Sequence, residues 1–172
     1  MCSQARRDIQ ISVVFLTTRV KQPDEDDWGN LKKVLKYLND TRYMKLKLTA
    51  KKISLNRWWE DDSYNVHWDS RGHNGAMMTL GKGAIISNSN KKKINVNSST
   101  EGELVDTHDQ LTDILHTPYF IEPQGYTIDK NLIYQAYQST TRLEVNRRIS
   151  SGNKTKHISS SFFFITDKIA KG

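Results

Sequence analysis

Three successive lysines and two adjacent tryptophans are the side chains best suited to binding a nucleic acid. Lys91, Lys92 and Lys93 form the centre of a polar segment, where their ammonium groups can contact phosphates. A solvated loop is an equally good interpretation of the lysines. Trp58 and Trp59 can stack on bases, although half-buried aromatic residues in a strand usually belong to the core. The sequence leaves both alternatives open.

Carboxylates in two separate segments are candidates for chemistry with a cation. Asp61 follows an apolar run that predicts a strand, and Glu103 falls in the first turn of a predicted helix. Taken alone, a strand-end acid is usually solvated, and an acid in a first turn is favoured by the helix dipole. The histidines show no metal-binding spacing and are interpreted as structural or surface residues: His67, His73, His108 and His116. Residues 98–100 are followed by no histidine and acid arranged for a nucleophile, so a serine hydrolase is not expected.

Length, charge and composition limit the class of protein. The chain has 172 residues, enough for one domain and an appendage, and its net charge of +7 favours polyanionic partners. No apolar run approaches the roughly 20 residues of a membrane span, so no membrane partner is expected. Cys2 is the only cysteine, which excludes an intrachain disulfide and predicts an intracellular location, cytoplasmic or nuclear.

The first 43 residues predict mainly helix. The run Ile9 to Leu16 fits either a strand or a buried helix, because its periodicity does not decide between them. Residues 22–27 predict a helix start, with a proline and four acids that suit a first turn. An apolar stripe at helical spacing continues that helix to Asp40; its members are Trp28, Leu31, Val34, Leu35 and Leu38.

The middle of the chain predicts strands. Strict alternation from Met44 to Thr49 predicts a half-buried strand, and a second strand is predicted from Lys52 to about Asp62. Residues 68–75 have the composition of a turn. Residues 76–80 and 84–87 predict two strands of a hairpin joined at 81–83. Residues 88–97 are predicted to form a polar loop.

The last third predicts helices around one strand. Ser99 or Thr100, followed by an acid, predicts the start of a helix that runs to Pro118. Residues 132–134 predict a short buried strand, and residues 138–146 and 158–169 predict helices separated by a loop at 150–155. Hairpin strands followed by alternating helix and strand predict an α/β domain built on a mixed sheet.

Several of these segments resemble, in chain order, parts of a copia-type retrotransposon polyprotein, from the end of the reverse transcriptase through the ribonuclease H domain. Residues 98–104, Ser-Ser-Thr-Glu-Gly-Glu-Leu, are similar to the family's Ser-Ser-Thr-Glu-Ala-Glu-Tyr. The other matching segments are residues 19–38, 59–64, 73–76, 82–87, 134–139 and 155–158. The resemblance implies a ribonuclease H-like mixed sheet flanked by helices over residues 44–172, preceded by a helical reverse-transcriptase remnant over residues 1–43.

The resemblance also implies a site. Family enzymes cut the RNA strand of an RNA–DNA hybrid with two Mg²⁺ ions held by clustered carboxylates. Asp61 matches the first-strand aspartate, and Glu103 matches the helix glutamate. Glu101 matches the outer glutamate of the same motif. The residues implied to contact nucleic acid, together with the lysine run, are Gln138, Ser139 and His157.

The sequence departs from the family pattern at several positions. Ala136 stands where the third metal-binding acid belongs and cannot bind a metal, and the segment of the fourth acid is expected beyond Gly172. Glu60 and Asp62 replace small or apolar residues beside Asp61. Because alternate strand residues face opposite sides, both are expected to point toward packed helices, at a cost in stability unless each finds a partner.

These observations predict an impaired ribonuclease H-like domain, with weak or no binding of Mg²⁺, that binds an RNA–DNA hybrid or another nucleic acid. Its expected protein partner is the reverse-transcriptase part of a polyprotein. Two alternatives remain. One is an active hybrid endonuclease within a full polyprotein. The other is a non-catalytic interaction module or a decayed fragment without function.

Overall fold

The structure, a computed structural model, describes residues 4–96, 98–135, 165 and 167. Its centre is a four-stranded mixed sheet in the order β5-β3-β2-β6. The bounds of its strands are β2 Leu55–Ser63, β3 His73–Thr79, β5 Ile86–Lys91 and β6 Lys130–Gln135. Strands β2, β3 and β5 are antiparallel neighbours, whereas β6 lies parallel to β2. The predicted α/β class with a mixed sheet flanked by helices is therefore confirmed.

Helices lie against the sheet at different places. Helix α1 (Gln10–Thr17) packs on β5, and helix α3 (Ser99–Ile121) packs on β2. Helix α3 connects β5 to β6, because a parallel neighbour of β2 requires a crossover. Short 3₁₀ turns at Arg7–Ile9 and Glu122–Gln124 flank α1 and α3. Within the described residues, no helix has the length and apolar character that a membrane span needs.

The core lies between α3 and the sheet. Trp58 and Met78 extend from β2 and β3 toward the same apolar side of α3. The fully packed members of this cluster are Trp58, Met78, Leu104, Leu111, Ile114 and Ile165. Trp58 is therefore a core residue. Ile165 is helical and buried, so a residue of the predicted last helix reaches this core.

Helix α2 (Glu25–Asp40) follows the predicted span closely. Asp24 accepts a hydrogen bond from the Asp27 backbone N–H at 2.8 Å, and the Asp27 carboxylate accepts one from the Asp24 N–H at 3.1 Å. This reciprocal pair satisfies two amides that the first turn leaves free. Arg19 contacts the carboxylate of Asp27 at 3.0 Å and so ties α2 to the end of α1.

Local periodicity left one N-terminal segment undecided and misassigned another. The run from Ile9 to Leu16 lies in the 3₁₀ turn and in α1, so it is helical. The strand predicted from Met44 to Thr49 is wrong, because only β1 (Thr49–Ala50) forms, paired with β4 (Gly81–Lys82). Alternation of apolar and polar residues does not by itself provide a neighbouring strand to pair with. The apolar residues of this segment stay exposed.

Several other elements begin or end at residues that differ from the predicted ones. The predicted polar loop at 88–97 is wrong in its first part, since β5 continues to Lys91, and the predicted turn at 68–75 loses its last residues to β3. Helix α3 passes through Pro118 and ends at Ile121. The predicted helix at 138–146 and loop at 150–155 lie outside the described residues, as does the helix at 158–169 apart from 165 and 167. The domain boundary between residues 43 and 44 stays a prediction.

Two glycines test how the backbone sets local stability. A Cβ at Gly29 in α2 or at Gly125 after α3 would meet nothing within 4 Å, but Gly125 has a φ of +89°. Gly29→Ala should raise the free energy of unfolding by about 1 kcal/mol, because glycine is a poor helix former. Gly125→Ala should lower it by about 1 kcal/mol, because left-handed backbone disfavours a Cβ. Urea unfolding measures the free energy of unfolding of both variants. Equal shifts of the same sign would contradict the helical conformation at Gly29 and the left-handed one at Gly125.

Candidate functional site

Strand β2 divides its acids between the two faces of the sheet. The side chains of Glu60 and Asp62 lie on the face covered by α3, where Glu60 is only 4% exposed. Asp61 lies between them and is exposed, on the opposite face. The predicted direction of Glu60 and Asp62, toward a packed helix, is confirmed by their contacts with α3 and the loop before it.

Helix α3 adds two more carboxylates to the same face. Its first turn is capped by Ser98, whose side chain accepts a hydrogen bond from the Glu101 backbone N–H at 3.2 Å. Glu103, Asp106 and Thr107 follow at spacings of three and four residues, so they lie on one side of the helix and point at β2. All three are buried. We call Glu60, Asp62, Glu103 and Asp106 the acid cluster.

A lysine compensates part of the charge in the acid cluster. The Lys92 Nζ lies 2.8 Å from the Asp62 carboxylate, and both side chains are at most 2% exposed. The same ammonium donates a hydrogen bond to the Gly102 carbonyl at 2.7 Å. A Cβ at residue 102 would collide with the Asp62 carboxylate and approach the Lys92 ammonium. Glycine at that position therefore makes room for the ion pair.

Glu60 is held by uncharged groups. Its carboxylate accepts a hydrogen bond from the Thr107 hydroxyl at 3.1 Å, and the Gln135 amide lies 3.5 Å from the same oxygen. Burial raises the pKa of Glu60, while these two donors oppose that rise. The Glu60 carboxylate on β2 therefore links α3 and the end of β6 through these two contacts.

The two helix carboxylates favour the protonated state. Burial, followed by the nearby Asp62 and Asp61 carboxylates, raises the pKa of Glu103 to about 7, and Lys92 partly offsets this. Burial, followed by Glu60, raises the pKa of Asp106 to about 8. A group with a pKa near neutrality can donate or accept a proton, but Glu103 is only 1% exposed. As packed, it is out of reach of a substrate.

The residues described do not fit a two-magnesium centre. Asp61 extends from the face of β2 opposite the acid cluster, and the Lys92 ammonium already faces Asp62. No group of three or more histidine, cysteine, aspartate or glutamate side chains within the described part of the chain is placed to hold one metal ion. Mg²⁺ requires several oxygen ligands at short, near-octahedral distances, which this arrangement of the acids does not supply.

The three lysines of the predicted phosphate-binding run have different surroundings. Lys91 pairs with Asp69 at 2.8 Å and lies over the Trp68 ring. Lys92 is buried in the acid cluster, so its ammonium is not available to a ligand at the surface. Lys93 is exposed. Four other predicted site residues lie outside the described part of the chain: Ala136, Gln138, Ser139 and His157.

A second polar chain connects two histidines on the α1 side of the sheet. The His67 Nε2 lies 3.1 Å from the His73 Nδ1, and the His73 Nε2 lies 2.8 Å from the Ser89 hydroxyl. Phe15 of α1 stacks on His67. Burial lowers the pKa of both histidines, which favours neutral rings. Both rings are buried, so of the two predicted settings, structural or surface, neither histidine lies at the surface.

Sequence reasoning missed Asp106 and the role of Lys92. Asp106 could have been found, because it follows Glu103 by three residues and must share its helix face. The Lys92 partner could not be found locally, because Asp62 is 30 positions earlier and only the pairing of β3 with β2 and β5 brings them together.

Comparison with known proteins gives a relative but no family model, since none matches the sequence. The chain is 27% identical over 169 residues to the "Retrovirus-related Pol polyprotein from transposon RE2" of Arabidopsis thaliana. The match covers 97% of this chain but only 12% of that polyprotein, so the chain spans about an eighth of its relative's length. The predicted resemblance to a retrotransposon polyprotein is confirmed.

Among solved structures, the chain is similar to the RNase H1 of the halophilic archaeon Halobacterium salinarum. The TM-score is 0.41 with 7% sequence identity, over 66% of this chain and 77% of that one. A superposition of this quality supports no conclusion about activity.

The ion pair between Lys92 and Asp62 can be tested by substitution. Lys92→Met should lower the free energy of unfolding by about 3–5 kcal/mol, because it leaves the Asp62 carboxylate buried without a cation. Lys93→Met is the matched control at an exposed position and should change stability by less than about 0.5 kcal/mol. Adding Asp62→Asn to Lys92→Met should recover part of the loss. Additive losses in the double variant would contradict the pairing.

The raised pKa of Asp106 predicts a dependence of stability on pH. The folded chain holds a proton on Asp106 that the unfolded chain releases above its ordinary pKa of 3.8. Stability should therefore fall as pH rises from about 4 toward 8, by up to about 1.4 kcal/mol per pH unit for one group. Asp106→Asn should match the wild type near pH 4 and exceed it by roughly 5 kcal/mol at pH 8, which is the slope summed over the window between the two pKa values.

Asp109→Asn is the matched control for this experiment, because Asp109 lies on the exposed side of α3. The two histidines of lowered pKa destabilise the fold below their ordinary range, but they act equally in wild type and variant. Urea unfolding across that pH range gives the difference directly. A difference that stays constant with pH would rule out a protonated Asp106.

Proposed function

We propose that the chain is a ribonuclease H-like domain of a retrotransposon polyprotein that no longer cleaves RNA–DNA hybrids and that binds nucleic acid. Two findings support the ancestry. The similarity to a retrotransposon polyprotein extends over 97% of the chain. The mixed sheet with helices packed against it agrees with the fold that the resemblance implies.

The position of the Lys92 ammonium is the observation that carries the proposed loss of cleavage. In a two-metal enzyme, divalent cations compensate the charge of the converging carboxylates. Here the cation is a side chain of the protein itself. The Lys92 ammonium faces Asp62 and contacts the backbone carbonyl of Gly102, beside Glu103. Raised pKa values in Glu103 and Asp106 reduce the remaining negative charge. The acid cluster is thus compensated without a metal.

The motif residues support the same proposal. Asp61 and Glu103 are assigned as the remnants of the ancestral metal ligands, and Ala136 offers no carboxylate to complete the set. Mg²⁺ would supply a nucleophilic hydroxide and stabilise the leaving oxygen if such a site were complete. Asp61 is exposed, and its carboxylate contributes to the raised pKa of Glu103.

Binding to nucleic acid is supported by charge. The net charge of +7 attracts phosphates. Lys93 is exposed, and Lys91 lies beside Trp68 at the surface. Gln138, Ser139 and His157 are proposed as further contacts from the matching motifs. Lys92 contributes charge but no direct contact. The reverse-transcriptase part of a polyprotein is the proposed covalent partner.

A hybrid-cleavage assay tests the proposed loss of activity. Incubation of a labelled RNA–DNA hybrid with the chain in Mg²⁺ or Mn²⁺ should give no cleavage above that of an Asp61→Asn/Glu103→Gln variant. Metal-dependent cleavage that this variant lacks would overturn the claim and favour the alternative of an active endonuclease. The variant is the proper control because both substitutions keep the size of the side chains.

Fluorescence anisotropy tests the binding. The chain should bind a labelled hybrid at low salt and lose affinity steeply as salt rises, because each phosphate contact releases counterions. Lys93→Met should remove one phosphate contact and so lower the slope of log affinity against log salt by about one. Absence of binding at low salt would reject the binding claim and favour an interaction module or a fragment without function.

A further inference from the structure

The loop between β2 and β3, residues 64–72, leaves a tryptophan ring in solvent. Trp68 is 76% exposed, whereas Trp58 and Trp59 lie in strand β2. A large aromatic ring gains free energy when it is removed from water, so its exposure gives up stability. Trp68 belongs neither to the core nor to the acid cluster, and neither of them accounts for its position.

The loop holds Trp68 in a defined place. Its neighbour His67 is buried, lies 3.1 Å from His73 and stacks on Phe15 of α1. On the other side of Trp68, the Ser70 backbone N–H donates a hydrogen bond to the His67 carbonyl at 2.9 Å. Ser70 has a φ of 61°, a left-handed conformation that is strained for residues other than glycine and that is concentrated at functional sites.

Three cations lie near this ring against one carboxylate. The Lys91 Nζ lies over one face of the Trp68 ring, 5.7 Å from its centre, and 2.8 Å from the Asp69 carboxylate. Arg71 lies 3.4 Å from the same carboxylate, and its side chain is 42% exposed. Lys93 is exposed and follows Lys91 by two residues, a reach of at most about 7 Å along the chain. The charge around Trp68 is therefore positive locally.

Hydrogen bonds join the two segments that carry the ring and the cations. The Lys92 backbone N–H donates to the Gly72 carbonyl at 3.0 Å. The Asn95 side-chain amide donates to the Asp69 carbonyl at 3.4 Å. The loop and the residues at the end of β5 therefore form one continuous surface. We call its four ligand-facing members the Trp68 surface: Trp68, Arg71, Lys91 and Lys93.

The chemistry of the Trp68 surface favours a ligand that is both flat and anionic. Lys91 lies over one face of the ring, and with 76% of Trp68 exposed the opposite face is open to solvent. An open aromatic face binds planar rings, and cations beside it bind phosphates. A neutral apolar peptide would leave those cations without counter-charge. A nucleotide supplies both groups, and its base can lie on the ring only where it is unstacked, as in a single strand.

We propose that the Trp68 surface binds single-stranded nucleic acid, with one unstacked base on the open face of Trp68 and the adjoining phosphates paired with Arg71 and Lys93. The inference rests on the proposed nucleic-acid binding and specifies one place and one ligand class for it. Every base has a π face, so stacking on this ring carries no base preference. Lys91 positions the ring, since Asp69 already holds its ammonium.

The test uses the full chain and a labelled oligothymidylate, which forms no duplex. Trp68→Ala should weaken binding roughly tenfold, as expected for the loss of one stacking contact, and Trp68→Phe should keep most of the affinity. Trp28→Ala is the matched control. Trp28 is 57% exposed with the Lys32 Nζ 5.3 Å from its ring centre, but it follows four acids at residues 24–27, which repel phosphate. This control should leave the affinity unchanged.

Tryptophan fluorescence supplies a readout that a loss of stability would not imitate. Saturating oligothymidylate should quench the emission of the wild type, Trp68→Phe should remove that quenching, and Trp28→Phe should keep it. If the labelled hybrid binds but the single strand does not, or if the substitutions at the two positions act alike, the Trp68 proposal is overturned while nucleic-acid binding stands.

Two further outcomes would also reject the proposal. Binding to phosphatidylserine vesicles that depends on Trp68, without binding of the oligothymidylate, would assign the Trp68 surface to a lipid membrane instead. If neither the single strand nor the hybrid binds, the Trp68 proposal and the proposed nucleic-acid binding are both overturned.

Discussion

The buried contact between the Lys92 ammonium and the Asp62 carboxylate is the interaction on which the rest of the site depends. Two charges at most 2% exposed are costly to bury unless they meet. Their contact therefore fixes where the end of β5 lies relative to β2. It also places the start of α3, because the same ammonium binds the Gly102 carbonyl. The geometry of Glu103 follows from that anchor.

The ion pair separates the sheet into two faces with different chemistry. The face under α3 is a closed acid cluster whose carboxylates are paired, hydrogen-bonded or favoured in the protonated state. The other face carries an open cleft, in which Trp59 and Tyr134 stack on each other. In the proposed history of the chain, the first face retains Glu103 of the ancestral motif without its chemistry.

Sequence alone predicted the elements whose signals are local. Helix α2 has an apolar stripe and a reciprocal cap, and β2 contains a run of strand-forming residues, so both appear close to their predicted positions. The segment from Met44 failed because alternation does not supply a neighbouring strand. In the site, the direction of Glu60 and Asp62 followed from strand geometry. The partner of Asp62 did not, since Lys92 looked like part of a solvated run. The family motif has alanine at position 102, where this chain has glycine. The glycine leaves room for the Asp62 carboxylate, which is larger than the small residue of the family, and this fit is evident only from the folded structure.

Detection of the lysine side-chain nitrogens by nuclear magnetic resonance tests the central claim most directly. If Lys92 compensates the acid cluster, its ammonium should give a signal protected from solvent exchange, coupled to the Asp62 carboxylate. That signal should keep its position as Mg²⁺ is added to saturation. A Lys92 ammonium that exchanges freely with water, or that is displaced while Mg²⁺ shifts the carboxylate signals of Asp62 and Glu103, would contradict the account.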